Sequence, residues 1–125
     1  MTTPAPLSGK RVLVVEDEIL IAMEIAAIFE EAGVEVIGPA NTIDQAQALL
    51  AQHARNLDAA VLDLNVAGAS IDTVIAVLKE RGVPYACMTG YTSGDGSGLG
   101  ADVPVIRKPF PPEQMLAAVR TLLER

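Results

Sequence analysis

Apolar runs of strand length recur along the chain and alternate with stretches whose apolar residues fall at helical spacing, and this alternation constrains the fold more than any other feature. Arg11-Val-Leu-Val-Val-Glu16 and Asp58-Ala-Ala-Val-Leu-Asp63 are apolar at every interior position and end in acids. Such runs suit strands buried on both faces, which requires a layer of helices on each side. Val34 to Ile37, closed by Gly38-Pro39, then Pro84 to Met88 and Val103 to Ile106, supply further strands. Between them, Glu18 to Ala32 carries Ile21, Ile25, Ile28 and Phe29 on one stripe and stops at Gly33. Thr42 and Gln45 form a capping box for a second helix reaching about His53. Ser70 caps a third, with Ile71, Val74, Ile75, Val77 and Leu78 inside and Arg81-Gly82 at its end. Pro111-Pro112 opens a last helix with Met115, Leu116, Val119, Leu122 and Leu123 on its buried stripe. Strand and helix in alternation predict an α/β fold, a parallel sheet with helices on both faces.

One stretch departs from the alternation. From Tyr91 to Pro104, Gly94, Gly96, Gly98 and Gly100 interleave with small or polar residues where a fourth helix belongs. Glycine at that density disfavours a helix, so the expectation is a short, irregular or disordered segment, either permanently flexible or ordering in response to a change of state or a partner. With 125 residues there is room for one domain, read as a flexible tail over 1–9 and a folded body over 10–125. Half of the residues are hydrophobic, 3% are aromatic and Trp is absent, so the core is aliphatic. The formal charge of −7 argues against nucleic acid as a partner, since that binding needs clustered Lys and Arg. Cys87 is the single cysteine, so no disulfide forms within the chain and a thiolate metal site is disfavoured. No signal core opens the sequence and no run approaches the about 18 apolar residues of a membrane span. The expectation is a cytoplasmic protein with no membrane partner.

In an open parallel sheet, ligands bind beyond the carboxyl ends of the strands. Those ends carry Glu16-Asp17-Glu18, Asp63, Thr89-Gly90 and Lys108-Pro109. Taken singly, each is what an ordinary solvated loop or strand cap shows; together they converge on one edge. Crowded carboxylates repel unless a hard cation takes their oxygens, and Mg²⁺ suits a site of few carboxylates and a carbonyl. Asp17 and Asp63 are the expected direct ligands, with the backbone carbonyl of Asn65 a third. An aspartate in such a site is a nucleophile towards a phosphoryl donor, and Lys108 and the Thr89 hydroxyl can stabilise charge on the phosphoryl oxygens.

Val14-Val-Glu-Asp-Glu18, Leu62-Asp-Leu-Asn65, Met88-Thr-Gly90 and Lys108-Pro-Phe110, in this order, resemble the signatures of response-regulator receiver domains across roughly residues 10 to 124. The resemblance implies a flavodoxin-like five-stranded sheet of order 2-1-3-4-5. It also implies Asp63 as phosphoacceptor, Glu16 and Asp17 as the acidic pair with Glu16 reaching Mg²⁺ through water, Thr89 as switch hydroxyl, and Lys108 as phosphate-binding amine before a cis proline. It implies phosphoryl transfer from a histidine kinase or a histidine phosphotransfer protein, with output by contact with a downstream protein or by onward transfer, and no enzymatic turnover beyond self-phosphorylation and self-dephosphorylation. The surface expected to respond is formed by 91–104, the fifth strand and the last helix.

The sequence also departs from the common receiver pattern. Val105 stands where an aromatic switch residue is usual, and Ala67 replaces a common proline after Asp63. Met88-Thr-Gly-Tyr91, Val105 and the glycine-rich stretch together resemble single-domain alphaproteobacterial receivers that work with kinases of the HWE type. Tyr91 then stands in for the missing aromatic or shields the phosphoryl group, against the reading of an ordinary loop tyrosine. A haloacid-dehalogenase-type phosphatase is the enzyme alternative, but it needs a second aspartate where Asn65 stands. A pseudo-receiver that never accepts phosphate is the interaction-module alternative, against which Asp17, Asp63, Thr89 and Lys108 are all present. A flavin site lacks its Ser/Thr-rich loop after the first strand. His53, near the end of the second helix, and Cys87, inside the fourth strand, are read as filler rather than ligands.

Overall fold

The computed structural model describes residues 7–53, 55–66, 68–90 and 103–124. Their elements run β1 (Arg11–Val15), α1 (Ile19–Glu31), β2 (Glu35–Ala40), α2 (Ile43–His53), β3 (Ala59–Asp63), β4 (Asn65–Val66), β5 (Ala69–Ser70), α3 (Asp72–Arg81), β6 (Tyr85–Thr89), β7 (Val105–Arg107) and α4 (Pro112–Leu123). The main sheet is parallel in the order β2-β1-β3-β6-β7. With the small β4–β5 hairpin set aside, this is the expected 2-1-3-4-5 order. No helix among the described residues is long and apolar enough to cross a membrane.

Continuous burial explains why the central strands read as unbroken apolar runs. Every residue of β3 and β6 is buried, and β1 is buried from Val12 onward. Alternate side chains serve opposite faces. Leu13 and Val15 join Leu50 of α2 and Val74 and Leu78 of α3, whereas Val12 and Val14 join Ile25 and Phe29 of α1 and Met115 and Val119 of α4. Helices α2 and α3 thus cover one face, α1 and α4 the other. Each fully buried Leu, Ile or Phe contributes about 1.5–3 kcal/mol, and these aliphatic layers hold the strand ends in line. Leu7, read from sequence as part of the tail, is buried in the second layer, and the Gly9 amide donates to the Gly33 carbonyl at 2.9 Å.

Several boundaries differ from the sequence reading. Strand β2 does not stop at Ile37 but passes through Gly38-Pro39 to Ala40, which an edge strand tolerates because a missing N–H there costs no ladder bond. Its register with β1 shifts by one residue: Leu13 pairs with Ile37, yet Val15 pairs with Ala40. The extra residue is accommodated at Gly38, whose φ is +100° and where a Cβ would lie 2.7 Å from the Ala40 nitrogen. Strand β7 starts at Val105 rather than Val103, and β6 includes Thr89. Ser70 belongs to the β4–β5 hairpin, although its Oγ still accepts from the Asp72 amide at 3.1 Å as a capping side chain would. At α2, Thr42 Oγ1 accepts from the Gln45 amide at 3.1 Å, but Gln45 Oε1 accepts from the amide of Asn41 instead of that of Thr42, at 2.8 Å. Both Lys108-Pro109 and Gly38-Pro39 are cis; only the first was implied by the resemblance. The glycine-rich segment and Tyr91 lie outside the described residues.

Candidate phosphoacceptor site

The sheet order places the ends of β1, β3, β6 and β7 side by side, so the residues following them share one edge. Asp63 closes β3 opposite Met88, and Thr89 closes β6 opposite Arg107. The Lys108 amide donates to the Thr89 carbonyl at 2.8 Å, which fixes where the Lys108 side chain departs. Its ammonium reaches back across the edge, 2.6 Å from Glu16 Oε1 and 3.2 Å from Asp63 Oδ2. One oxygen from each of Glu16, Asp17 and Asp63 lies within 4.8 Å of the others.

This cluster is not a solvated loop, since Glu16 is fully buried and Asp63 is 6% exposed. Burial, followed by a hydrogen bond shared with Asp63, raises the Glu16 carboxyl to about 7, against the lowering pull of Lys108 and the Glu18 amide. Burial works against the charge on Lys108 too, but its hydrogen bond to Glu16 and the nearby carboxylates outweigh that cost and hold the ammonium above the usual lysine range. The Thr89 hydroxyl is 1% exposed and its Oγ1 has no hydrogen-bond partner among the described residues. A buried hydroxyl without a partner costs stability, and this one stands at the strand end beside Asp63.

The donor set fits a hard divalent cation. Three carboxylates against one ammonium leave a formal excess of two negative charges, which a hard divalent cation would balance. Asn65 opens β4 two residues after Asp63. Val105 pairs with Cys87 and is partly buried. Burial, with the charge of Asp63 as a smaller cause, pushes the Cys87 thiol up to about 12, so it is a thiol and not a thiolate at neutral pH. His53 lies in the last turn of α2, away from these strand ends.

Sequence reasoning missed Asn41. Its Nδ2 donates to the Glu16 carbonyl at 3.0 Å, while the Glu16 amide donates to the Ala40 carbonyl at 2.9 Å. The available signal was a polar amide just beyond the second strand, where the parallel order puts that loop next to the acidic corner.

No family model matches the chain. Over 114 residues it is 32% identical to the phyllosphere-induced regulator PhyR of Methylorubrum extorquens, covering 90% of this chain and 43% of that protein. The solution structure of the PhyR response regulator REC domain of Erythrobacter litoralis superposes with a TM-score of 0.78 at 27% identity, over 96% of this chain and 94% of that one. SdrG of Sphingomonas melonis Fr1 matches at 33% identity and a TM-score of 0.75, over 91% of this chain and 96% of SdrG. The chain belongs to the response-regulator receiver family. Receivers are the phosphoacceptors of two-component signalling and generally act as signalling switches, and that is the class of function here. The family implies a histidine kinase or phosphotransfer protein as phosphoryl source. The chain spans about half the length of the curated relatives it matches, from 43% to 58%.

Proposed function

We propose that this receiver takes its phosphoryl group on Asp63, with Mg²⁺ held by Asp17, Asp63, the backbone carbonyl of Asn65 and, through water, Glu16. The observation that carries this reading is the Lys108 ammonium bridging Glu16 and Asp63 at the edge where the Thr89 hydroxyl, without a partner among the described residues, also stands. When bound, the cation neutralises carboxylate and phosphoryl charge. An Asp63 oxygen attacks phosphorus, a P–O bond forms, the P–N bond of a phosphohistidine donor breaks, and its electron pair returns to the imidazole nitrogen. Lys108 then pairs with a phosphoryl oxygen, and Thr89 Oγ1 donates to another, gaining the partner it lacks. Movement of Thr89 reaches Arg107 and the end of β7 through the β6–β7 pairing, and Tyr91 supplies the aromatic that Val105 does not.

The donor must approach this edge, and α1 offers it a footing. Ile19, Leu20 and Met23 are 65%, 82% and 62% exposed and follow directly on Asp17 and Glu18. A helical phosphotransfer surface of apolar character fits that patch, and a kinase of the HWE type or a phosphotransfer protein is the proposed source, acting in the cytoplasm. Output passes through β7, α4 and segment 91–104 to a protein partner or onward by phosphotransfer, with no role for nucleic acid. Asn65, standing where a haloacid-dehalogenase-type phosphatase needs its second aspartate, favours the receiver reading over that alternative.

Incubation with acetyl phosphate, with Mg²⁺ or with chelator, followed by intact mass, tests the reading. Wild type gains one phosphoryl group only with Mg²⁺, and Asp63→Asn gains none. Equal labelling of Asp63→Asn would remove Asp63 from its role.

A further inference from the structure

Asn41 lies outside the strand-end set, and its position depends on an irregularity elsewhere in the fold. Because β2 spends one more residue than β1 between the Leu13–Ile37 and Val15–Ala40 pairs, Ala40 is brought level with Val15 and Asn41 arrives beside Glu16. The extra residue fits only because Gly38 has no Cβ, since one would meet the Ala40 nitrogen at 2.7 Å and the Val14 carbonyl at 3.1 Å. Bulges recur beside active sites because they re-aim a side chain. Asn41 is in turn fixed at both ends. Its amide donates to Gln45 Oε1 at 2.8 Å in the first turn of α2, and its side-chain Nδ2 donates to the Glu16 carbonyl at 3.0 Å.

That carbonyl belongs to the peptide that leads into Asp17, so the direction in which Asp17 leaves the strand depends on it. The neighbouring Glu18 amide donates to Glu16 Oε2 at 3.1 Å, closing the acidic corner on itself. We infer that Asn41 is a positioning residue for phosphoryl transfer: through the β2 bulge and Gln45 it holds the Glu16–Glu18 backbone in the geometry that presents Asp17 and Glu16 to the cation. The inference rests on the reading of Asp17 and Asp63 as Mg²⁺ ligands. It makes α2 a structural support of the acidic corner, although α2 contributes no side chain to that corner.

Two variants separate donor from bulk: Asn41→Ala removes both, and Asn41→Leu keeps size and loses the donor. Two readouts are taken on the whole chain, amide exchange of Glu18 without metal and Mg²⁺ affinity by titration calorimetry. Loss of one hydrogen bond of ordinary net strength predicts exchange about three- to tenfold faster at Glu18, and Mg²⁺ binding weaker by about the same factor, in both variants. Amides of Val61 and Leu62 in β3 keep their wild-type rates, and saturating Mg²⁺ restores the rate of labelling by acetyl phosphate. Wild-type values at Glu18 and for Mg²⁺ in both variants would overturn the inference, as would equal acceleration through β3, which marks general destabilisation. If wild type takes no phosphoryl group while Glu18 exchange still responds to Asn41, the reading of Asp63 fails, and only the support of the Glu16–Glu18 backbone by Asn41 stands. If wild type is labelled and the variants match it in both readouts, the positioning role fails alone.

Discussion

Lys108→Met keeps the length of the stem and removes the ammonium that bridges Glu16 and Asp63. Even with Lys108 in place, Glu16 is pushed up to about 7 by burial and by Asp63. Without metal, the native state therefore holds the Glu16 proton across a window, from the ordinary carboxylate range to about 7, in which the unfolded chain has already lost it. Stability falls as pH rises through that window and levels off above it, at roughly 1.4 kcal/mol per pH unit. The raised Lys108 pKa contributes stability that is fully present below the ordinary lysine value and is lost only as pH rises through the still higher folded value, so it adds no slope near neutrality. Removing the ammonium removes the first of the effects that lower the Glu16 pKa, and the falling limb extends to higher pH. The expected cost is about 1 kcal/mol at about pH 5.5, where Glu16 is protonated in both proteins, and about 3 kcal/mol at about pH 8.5, where a buried charge has lost its partner. At roughly 3–5 °C per kcal/mol for a domain of this size, Tm falls by roughly 3–5 °C at the lower pH and roughly 10–15 °C at the higher. Thermal unfolding in chelator at both pH values reads this directly. An equal loss at the two would refute the reasoning, because it would place the cost in packing of the stem rather than in charge.

Two further outcomes follow from the same geometry. Leu20→Glu, on the exposed α1 patch, slows phosphoryl transfer from the cognate histidine donor by about tenfold or more, as expected when a charge enters an apolar contact, and leaves labelling by acetyl phosphate at the wild-type rate; equal slowing with both donors would remove α1 as the footing. Mg²⁺ affinity falls about tenfold per pH unit below about 7, because the cation must displace the proton that Glu16 shares with Asp63; calorimetry in buffers of different ionisation enthalpy counts the released proton, and an affinity flat down to about pH 5.5 would contradict the raised Glu16 pKa.

What was legible in the sequence follows from how each element earns its stability. Strands β1, β3 and β6 are buried on both faces, so their apolar runs had no competing reading. Strand β2 lies at the sheet edge with a mixed burial pattern, and Gly38-Pro39, an ordinary turn signal, hid its last residues. The hairpin β4–β5 has two residues per strand, too few for any periodicity to show. Glu16, Asp63, Thr89 and Lys108 could be gathered from sequence because parallel strands end on a common edge, so knowing the strands is enough to know the neighbours. Asn41 could not, since its approach to Glu16 depends on a one-residue register shift between β1 and β2 that only a non-local pairing creates.

The energetics of the site bear on why it switches. Glu16 is an acid made uncomfortable by burial, and Thr89 is a buried hydroxyl without a partner among the described residues. Folded proteins rarely leave such groups unsatisfied, and each costs free energy that the aliphatic layers on both faces of the sheet must offset. In the function proposed above, a divalent cation and a phosphoryl group would supply what is missing, counter-charge for the carboxylates and an acceptor for the hydroxyl. The modified state is therefore the better satisfied of the two at this edge. The Thr89 carbonyl is already bonded to the Lys108 amide, so in the proposed function a shift of Thr89 towards the phosphoryl group would be passed by the backbone to β7 and to the start of α4. That route needs no swing of a large side chain at Val105, and the absence of an aromatic at that position does not by itself break the link between the phosphoacceptor and the proposed output surface.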